Sequence, residues 1–221
     1  MVAMLGHGVY TFPEAAALTG LKQSRVREWF RGRSQDTTGK PVFSGDYPAV
    51  DGDHVISFHD LIDVCIAGQL RQHGTALRTV RGAYARMEAD LNSPHPFCRK
   101  ELLTDGETVF LRGLEGKGRA ELADVLSRQG VYCQILLPFL RQIDYDRVKL
   151  LARRWRIADL VVVDPTICFG KPIVEAAGIP TAVLAAAYRA NGEDADVVAR
   201  WYDVEPKHVL AAATFESSMA T

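Results

Sequence analysis

The sequence predicts a mainly α chain with small β elements, an α+β fold in three parts. These are an N-terminal winged helix-turn-helix over 1–92, a short β-containing middle segment over 93–160, and a three-helix, helix-turn-helix-like domain over 161–221. Three observations predict it. Apolar residues recur at helical spacing in both terminal parts. Short apolar runs bounded by Gly, Pro and Asp lie between the helical stretches, as strands and turns require. Two proline-bearing stretches, LNSPHPFCRK (91–100) and DPTICFGKP (164–172), interrupt the helical pattern.

In YTFPEAAALTG (10–20), Thr11 is placed to cap a helix, Pro13 fits its first turn and Gly20 ends it. A second helix over about 22–31 sets Val26, Trp29 and Phe30 at i, i+3 and i+4 toward a core, with Ser24, Arg27, Glu28 and Arg31 on the opposite face. A small-residue helix, a glycine turn and a helix with a basic outer face form a helix-turn-helix pattern, whose second helix would enter a major groove. KPVFSGDYPAVDGDHVISF (40–58) follows, with strand-like pieces PVF and HVISF suited to a wing. Two longer helices, FHDLIDVCIAGQLRQHG and TALRTVRGAYARMEADL, come next, split at Gly74.

Charge is polarised along the chain. Residues 1–92 carry no formal net charge, 93–156 carry +4 and 157–221 carry −5, for a total of −1. Composition therefore calls for neither nucleic acid nor membrane, and any nucleic-acid site must be local. Residues 20–40 supply one: Lys22, Arg25, Arg27, Arg31, Arg33 and Lys40 against Glu28 and Asp36.

The rhythm LIDVCIAGQLRQHGTALRTVRGAYARM, placed after the helix-turn-helix and wing, makes 10–91 resemble a MerR-type winged helix-turn-helix. The resemblance implies operator DNA as a partner. Ser24, Arg25 and Arg27 would then meet the groove, with Lys22 and Gln23 at the helix start, while Arg31, Arg33 and Lys40 would meet phosphates. The chemistry agrees, since arginine binds guanine bidentately and either basic residue neutralises phosphate. A single winged helix reads half a site, so a homodimer or higher hetero-oligomer is expected, with the helix pair 59–91 as its dimer surface.

In the middle segment, CRKELLTDGETVFLRGL reads as two strands around an Asp-Gly turn. RAELADVLSRQG reads as a helix, VYCQILLPFLRQIDYD contains a buried extended piece, and VKLLARRWRI is a helix or a strand.

The Gly170-Lys171 pair after the apolar run 160–163 invites a phosphate-loop reading, which its neighbours oppose. Pro165 stands where the loop needs its first glycine, and Pro172 where it needs a hydroxyl. A rigid turn is expected instead. Three helices follow. The first has Thr181 as cap and Gly192 as stop; the second, DADVVARWYDV, opens on acidic residues; the third has Pro206 in its first turn. Val183, Leu184, Ala187 and Tyr188, then Val197, Val198, Trp201 and Tyr202, then Val209, Leu210, Ala213 and Phe215 are expected to line the core.

Asp164-Pro165, Gly170-Lys171-Pro172, Gly178-Ile179-Pro180-Thr181, Ala199-Arg200-Trp201-Tyr202, and Val209 with Ala212 make 161–216 resemble a family of tri-helical domains of unknown function. The family's glycine-rich turn is replaced here by Ala176-Ala177-Gly178-Ile179. A winged helix joined to such a domain resembles VapB-type antitoxins. That resemblance implies an autorepressor that binds a PIN-domain ribonuclease toxin encoded nearby and silences it. Arginine insertion among the carboxylates of the nuclease is one way to do so, and Arg153, Arg154, Arg156, Arg189 and Arg200 are the available arginines. A MerR-like ligand-responsive regulator is the other reading, with Trp155, Trp201 and Tyr202 as pocket candidates.

Nothing in the pattern calls for catalysis or a cofactor. The six histidines are scattered, no helical pair of them has metal spacing, and Asp144 and Asp146 read as exposed loop charges. Cys65, Cys98, Cys133 and Cys168 stand singly in apolar settings, which predicts buried thiols in a reducing cytoplasm. No apolar run is long enough to span a bilayer, and the N-terminus lacks signal-peptide character.

Overall fold

The computed structural model describes residues 6–32, 41–48, 54–111, 116–124 and 132–219. It is a mixed α+β fold whose chain divides into two compact units, one of residues 10–152 and the other of residues 1–9 with 153–221. The sequence-based boundaries at 92/93 and 160/161 fall elsewhere. Among the described residues no helix is long and apolar enough to cross a membrane.

The unit 10–152 opens with β1 (Tyr10–Thr11), which leads directly into α1 (Phe12–Thr19). Thr11 and Glu14 form a reciprocal capping box, and Gly20, at φ 67°, takes the left-handed conformation that stops the helix. α2 (Gln23–Arg31) buries Val26 and Trp29 as its spacing requires. β2 (Val55–Ile56) pairs antiparallel with β1, Tyr10 opposite Ile56. The expected strand PVF does not form: the amides of Val42 and Phe43 instead donate to the Trp29 carbonyl at 2.7 and 3.1 Å, folding this segment onto the end of α2. Of the expected wing at 40–58, residues 40 and 49–53 lie outside the described residues.

α3 (Phe58–Gln72) starts from a second capping box, between Ser57 and Asp60, and is buried over most of its surface. Gly68 permits close approach of the helix-turn-helix. A Cβ there would lie 2.9 Å from Leu21 Cδ1, in the turn between α1 and α2. α4 (Leu77–Leu91) presents Val80, Ala83, Tyr84 and Met87 to the core at helical spacing and ends on left-handed Asn92. A 3₁₀ turn, Pro96–Cys98, follows.

α5 (Glu101–Leu111) overturns the expected hairpin. Its Asp-Gly pair sits within a helix because Leu102, Val109 and Phe110 share one helical face and are buried there, a period of 3.6 that outweighs the local turn signal. α6 (Gly116–Ala123) covers the start of the helix expected over 119–130, of which residues 125–130 lie outside the described residues. Most of VYCQILLPFLRQIDYD is helical, a π turn over Tyr132–Leu136 running into α7 (Leu137–Arg141), and the extended piece expected in it is β3 (Ile143–Tyr145), with Ile143 buried. Asp144 thus lies on a strand, while Asp146 caps the next turn by accepting from the Val148 and Lys149 amides.

Rings tie these elements together. Phe12–Phe30, Phe30–Phe43, Phe43–Tyr84, Tyr84–Phe97 and Phe97–Phe110 have centroids 5.9, 5.4, 4.9, 5.1 and 5.4 Å apart. Aromatic pairs at such separations contribute beyond their buried area. Phe43 is their junction.

In the second unit, β4 (Ala152–Ala158, begun at the last residue of the first unit), β5 (Val161–Val163), β6 (Pro172–Val174) and β7 (Ile179–Pro180) form an antiparallel meander. After β5, the Asp164 carboxylate accepts from the Thr166 amide and hydroxyl, making the tight exit that Asp-Pro predicts. Cys168 and Phe169 then both take left-handed backbone, φ 47° and 55°. Cys168 is exposed, against the expectation of four buried thiols, whereas Cys65 and Cys98 are buried. The reason is this turn, which faces both side chains outward.

α8 (Thr181–Ala190), α9 (Ala195–Tyr202) and α10 (Pro206–Met219) are the three expected helices. Asp194 caps α9 through the Val197 amide. Thr181 does not cap α8; it is its first residue, and its hydroxyl instead reaches Glu216 on α10 at 2.5 Å and the Pro172 carbonyl at 3.3 Å. Val174, Leu184, Val198, Ala199, Val209 and Ala212 form the core. Three residues expected in it are not: Val183, Trp201 and Leu210 are 42%, 65% and 46% exposed. Val183 and Leu210 each adjoin a core position, Leu184 and Val209, and with small Ala at many sites the helices close on a narrower stripe than the sequence pattern suggests.

Truncating the junction of the ring series tests its weight. Phe43→Ala should lower unfolding stability by about 3–5 kcal/mol, read as a shift in urea midpoint at unchanged m-value.

Candidate functional site

The helix-turn-helix face comes from α1, the turn at Gly20 and α2. Burial of Leu21, Val26 and Trp29 fixes α2 on its inner side. On the other side Lys22, Gln23, Ser24, Arg27 and Arg31 are exposed, and Arg25 is half-buried. Lys22 is the N-cap residue and makes no side-chain cap bond, so the helix N-terminus presents backbone N–H groups among basic and polar side chains. Such an end attracts anions. The Arg31 guanidinium lies 5.9 Å over the Phe12 ring, which orients it. Arg33 and Lys40 lie outside the described residues.

The five arginines offered to a protein partner have different surroundings. Arg154 and Arg156, two apart on β4, both reach Glu175, at 3.0 and 3.3 Å. They brace the sheet across β5. Arg153 is exposed on β4, while Arg189 and Arg200 are exposed in the last turns of α8 and α9, where a cation complements the helix dipole.

A third site, which sequence reasoning missed, is a polar cluster inside the unit 10–152. His95, buried in the turn before Pro96, places Nδ1 2.8 Å from Asp63 Oδ2 and Nε2 3.0 Å from Asp46 Oδ1. Asp63 also accepts from the Tyr84 hydroxyl at 2.9 Å. Asp60 Oδ2 accepts the Asp46 amide at 3.1 Å and the Ser57 amide at 3.0 Å. The Cys98 thiol donates to the His59 carbonyl at 3.2 Å, and the His59 ring lies 5.2 Å from that of His95, with its Nε2 2.9 Å from the Ala152 carbonyl oxygen.

Electrostatics follow from that geometry. Burial pulls the His95 imidazole toward neutrality, but the hydrogen bonds and charges of Asp46 and Asp63 outweigh it and hold the pKa up at about 10. The His95 hydrogen bond lowers Asp46 to about 2. Burial raises Asp63 to about 6 in spite of His95, and raises Asp60 as well. The available signal in the sequence was Asp63, a carboxylate between Ile62 and Val64 in a helix apolar on nearly every side.

The Asp46–His95 pair has a defined pH window. The depressed Asp46 contributes stability above its ordinary 3.8 that is lost as pH falls through about 2; the raised His95 contributes stability below 6.5 that is lost as pH rises through about 10. The gap in urea midpoint between the native chain and Asp46→Asn should therefore be widest near pH 5 and shrink steadily from pH 7 to pH 10.

Comparison with known proteins places these features among relatives. Residues 161–215 match the model of a family described as protein of unknown function, DUF433. Over 92% of both chains, the sequence is 24% identical to a protein of Mycobacterium tuberculosis (strain ATCC 25618 / H37Rv) named "Putative antitoxin VapB45". The fold resembles the X-ray crystal structure of Rv2018 from Mycobacterium tuberculosis, with a TM-score of 0.73 and 23% identity over 92% of this chain and 96% of that one.

Proposed function

We propose that this chain is the antitoxin of a type II toxin–antitoxin system, silencing a PIN-domain ribonuclease toxin through its C-terminal domain and repressing its own operon through α2. The observation that carries this reading is likeness along nearly the whole chain to a protein named as an antitoxin. It covers the helix-turn-helix unit as well as the DUF433-like domain. No enzymatic role is assigned.

Two features support the division of labour. Basic and polar side chains crowd the exposed N-terminal half of α2 on a scaffold held rigid by Trp29 and Phe43. In the C-terminal domain, Trp201, Val183 and Leu210 expose apolar surface that a partner can cover, and the surrounding segment 157–221 carries a net −5 suited to a basic surface. Arg153, Arg189 and Arg200 are the arginines of this unit most open to a nuclease carboxylate, since Arg154 and Arg156 already hold Glu175. A homodimer or higher hetero-oligomer would present two α2 helices to an inverted repeat.

Co-expression with the product of the neighbouring gene, followed by size exclusion and a gel shift on upstream DNA, tests the reading. A stable complex that shifts the DNA is expected; a chain that holds no partner would sink it. Arg27→Ala should cost about 1–3 kcal/mol of operator binding and relax specificity, whereas Lys22→Ala should weaken binding evenly and flatten the salt dependence by about one unit. Trp201→Ala should cost about 2 kcal/mol or more of toxin affinity, measured by calorimetry, and leave operator binding unchanged.

A further inference from the structure

We propose that Asp46, His59 and His95 form a binding site for a divalent transition-metal ion of the zinc class. One donor atom from each residue lies within 4.8 Å of the other two. Zinc bonds of about 2.0–2.1 Å set tetrahedral ligand atoms about 3.3 Å apart. His95 Nε2 and Asp46 Oδ1 are already 3.0 Å apart, so this edge needs only a slight opening, with His59 moving inward to complete the set. Two imidazoles and a carboxylate are donors zinc accepts readily, and three protein ligands leave a fourth position for water. Asp46 is exposed, which provides an entry path.

Two further observations separate this cluster from a chance meeting of polar groups. The first is what stands behind the ligands. Metal-bound imidazoles almost always give their second N–H to a carboxylate or a backbone carbonyl. Here His95 Nδ1 is 2.8 Å from buried Asp63, itself held by the Tyr84 hydroxyl, and His59 Nε2 is 2.9 Å from the Ala152 carbonyl oxygen. Both rings are thus oriented by the kind of partner that ligating histidines use.

The second is formal charge. Three carboxylates, Asp46, Asp60 and Asp63, converge on His95, with Asp60 Oδ1 at 4.0 Å. Asp60 and Asp63 are fully buried. Carboxylates out of water are costly unless cations compensate them. Ligation by neutral imidazoles releases the proton that His95 carries, so a dication replaces that charge and adds one more beside the three carboxylates. It would also join three separate segments, the loop at 41–48, α3 and the turn at His95, and so tie the loop that carries Phe43 to the helical core.

The test uses untagged full-length protein stripped with chelator. Zinc chloride titrated by calorimetry should bind at one equivalent per chain, cobalt(II) should give the visible bands of a near-tetrahedral site, and zinc should raise the melting midpoint. His59→Gln leaves the Asp46–His95–Asp63 bonds in place but removes the ring and its bond to Ala152, so the metal-free variant should still unfold cooperatively, at a somewhat lower midpoint, while zinc affinity falls at least about tenfold. Asp63→Asn, acting through His95, should weaken zinc about 10–100-fold. Absence of zinc binding and of cobalt bands would overturn the proposal, leaving a hydrogen-bonded charge network alone. Zinc binding of equal strength in the native chain, His59→Gln and Asp46→Asn would overturn it too, since the ion would then sit elsewhere.

Discussion

One carboxylate oxygen, Oδ2 of Asp60, accepts backbone N–H groups from two places at once: Ser57, at the start of α3, and Asp46, in the loop that follows α2. A helix N-terminus leaves amides that must find acceptors, and a buried loop amide has the same need. By serving both, Asp60 fixes where the loop crosses the most buried helix of the unit. Asp46 is then placed to meet His95, and three residues earlier Phe43 is placed among the rings of Phe30, Trp29 and Tyr84. The orientation of α2 against the core follows from this anchorage, because the loop also donates two hydrogen bonds, from the Val42 and Phe43 amides, to the Trp29 carbonyl.

Polar groups therefore supplement the ring packing of this unit, whereas the C-terminal helices rely mainly on apolar packing. α8, α9 and α10 close over Leu184, Val198, Val209 and Ala212, with Thr181 and Glu216 bonded across the first and last of them. Apolar burial is tolerant of small shifts, whereas a carboxylate shared by two amides is not. The unit that carries the basic helix is accordingly the more narrowly specified in its loops.

Helix boundaries were legible wherever caps and period agreed. Thr11, Gly20, Gly74 and Pro206 announced their ends locally, and Val26 and Trp29 announced a face. What escaped was set by contacts distant in sequence. Asp105-Gly106 signals a turn in isolation, yet the burial of Phe110 against Phe97 keeps the segment helical. Val183, Trp201 and Leu210 fit an apolar stripe, but how wide a stripe three helices cover depends on their crossing, which no single helix encodes. The Asp46–His59–His95 cluster was invisible for the same reason: its members are far apart in sequence, and only tertiary structure unites them. On α2, being local, the exposure of Ser24, Arg27 and Arg31 was readable, whereas Arg25 is half-buried.

Residues 10–152 interrupt the other unit, whose two pieces meet again where the Val9 amide donates to the Phe169 carbonyl at 3.0 Å, on the left-handed turn of Cys168 and Phe169. For a disordered insert, bringing those ends together would cost about 4 kcal/mol of chain entropy. Once the insert is folded, with Tyr10 paired in its own sheet, the spread of its ends is restricted and most of that entropy has already been lost. Folding of the insert thus lowers the entropic cost of closing the N-terminal strap on the C-terminal domain, and the domain that surrounds it in sequence inherits the benefit.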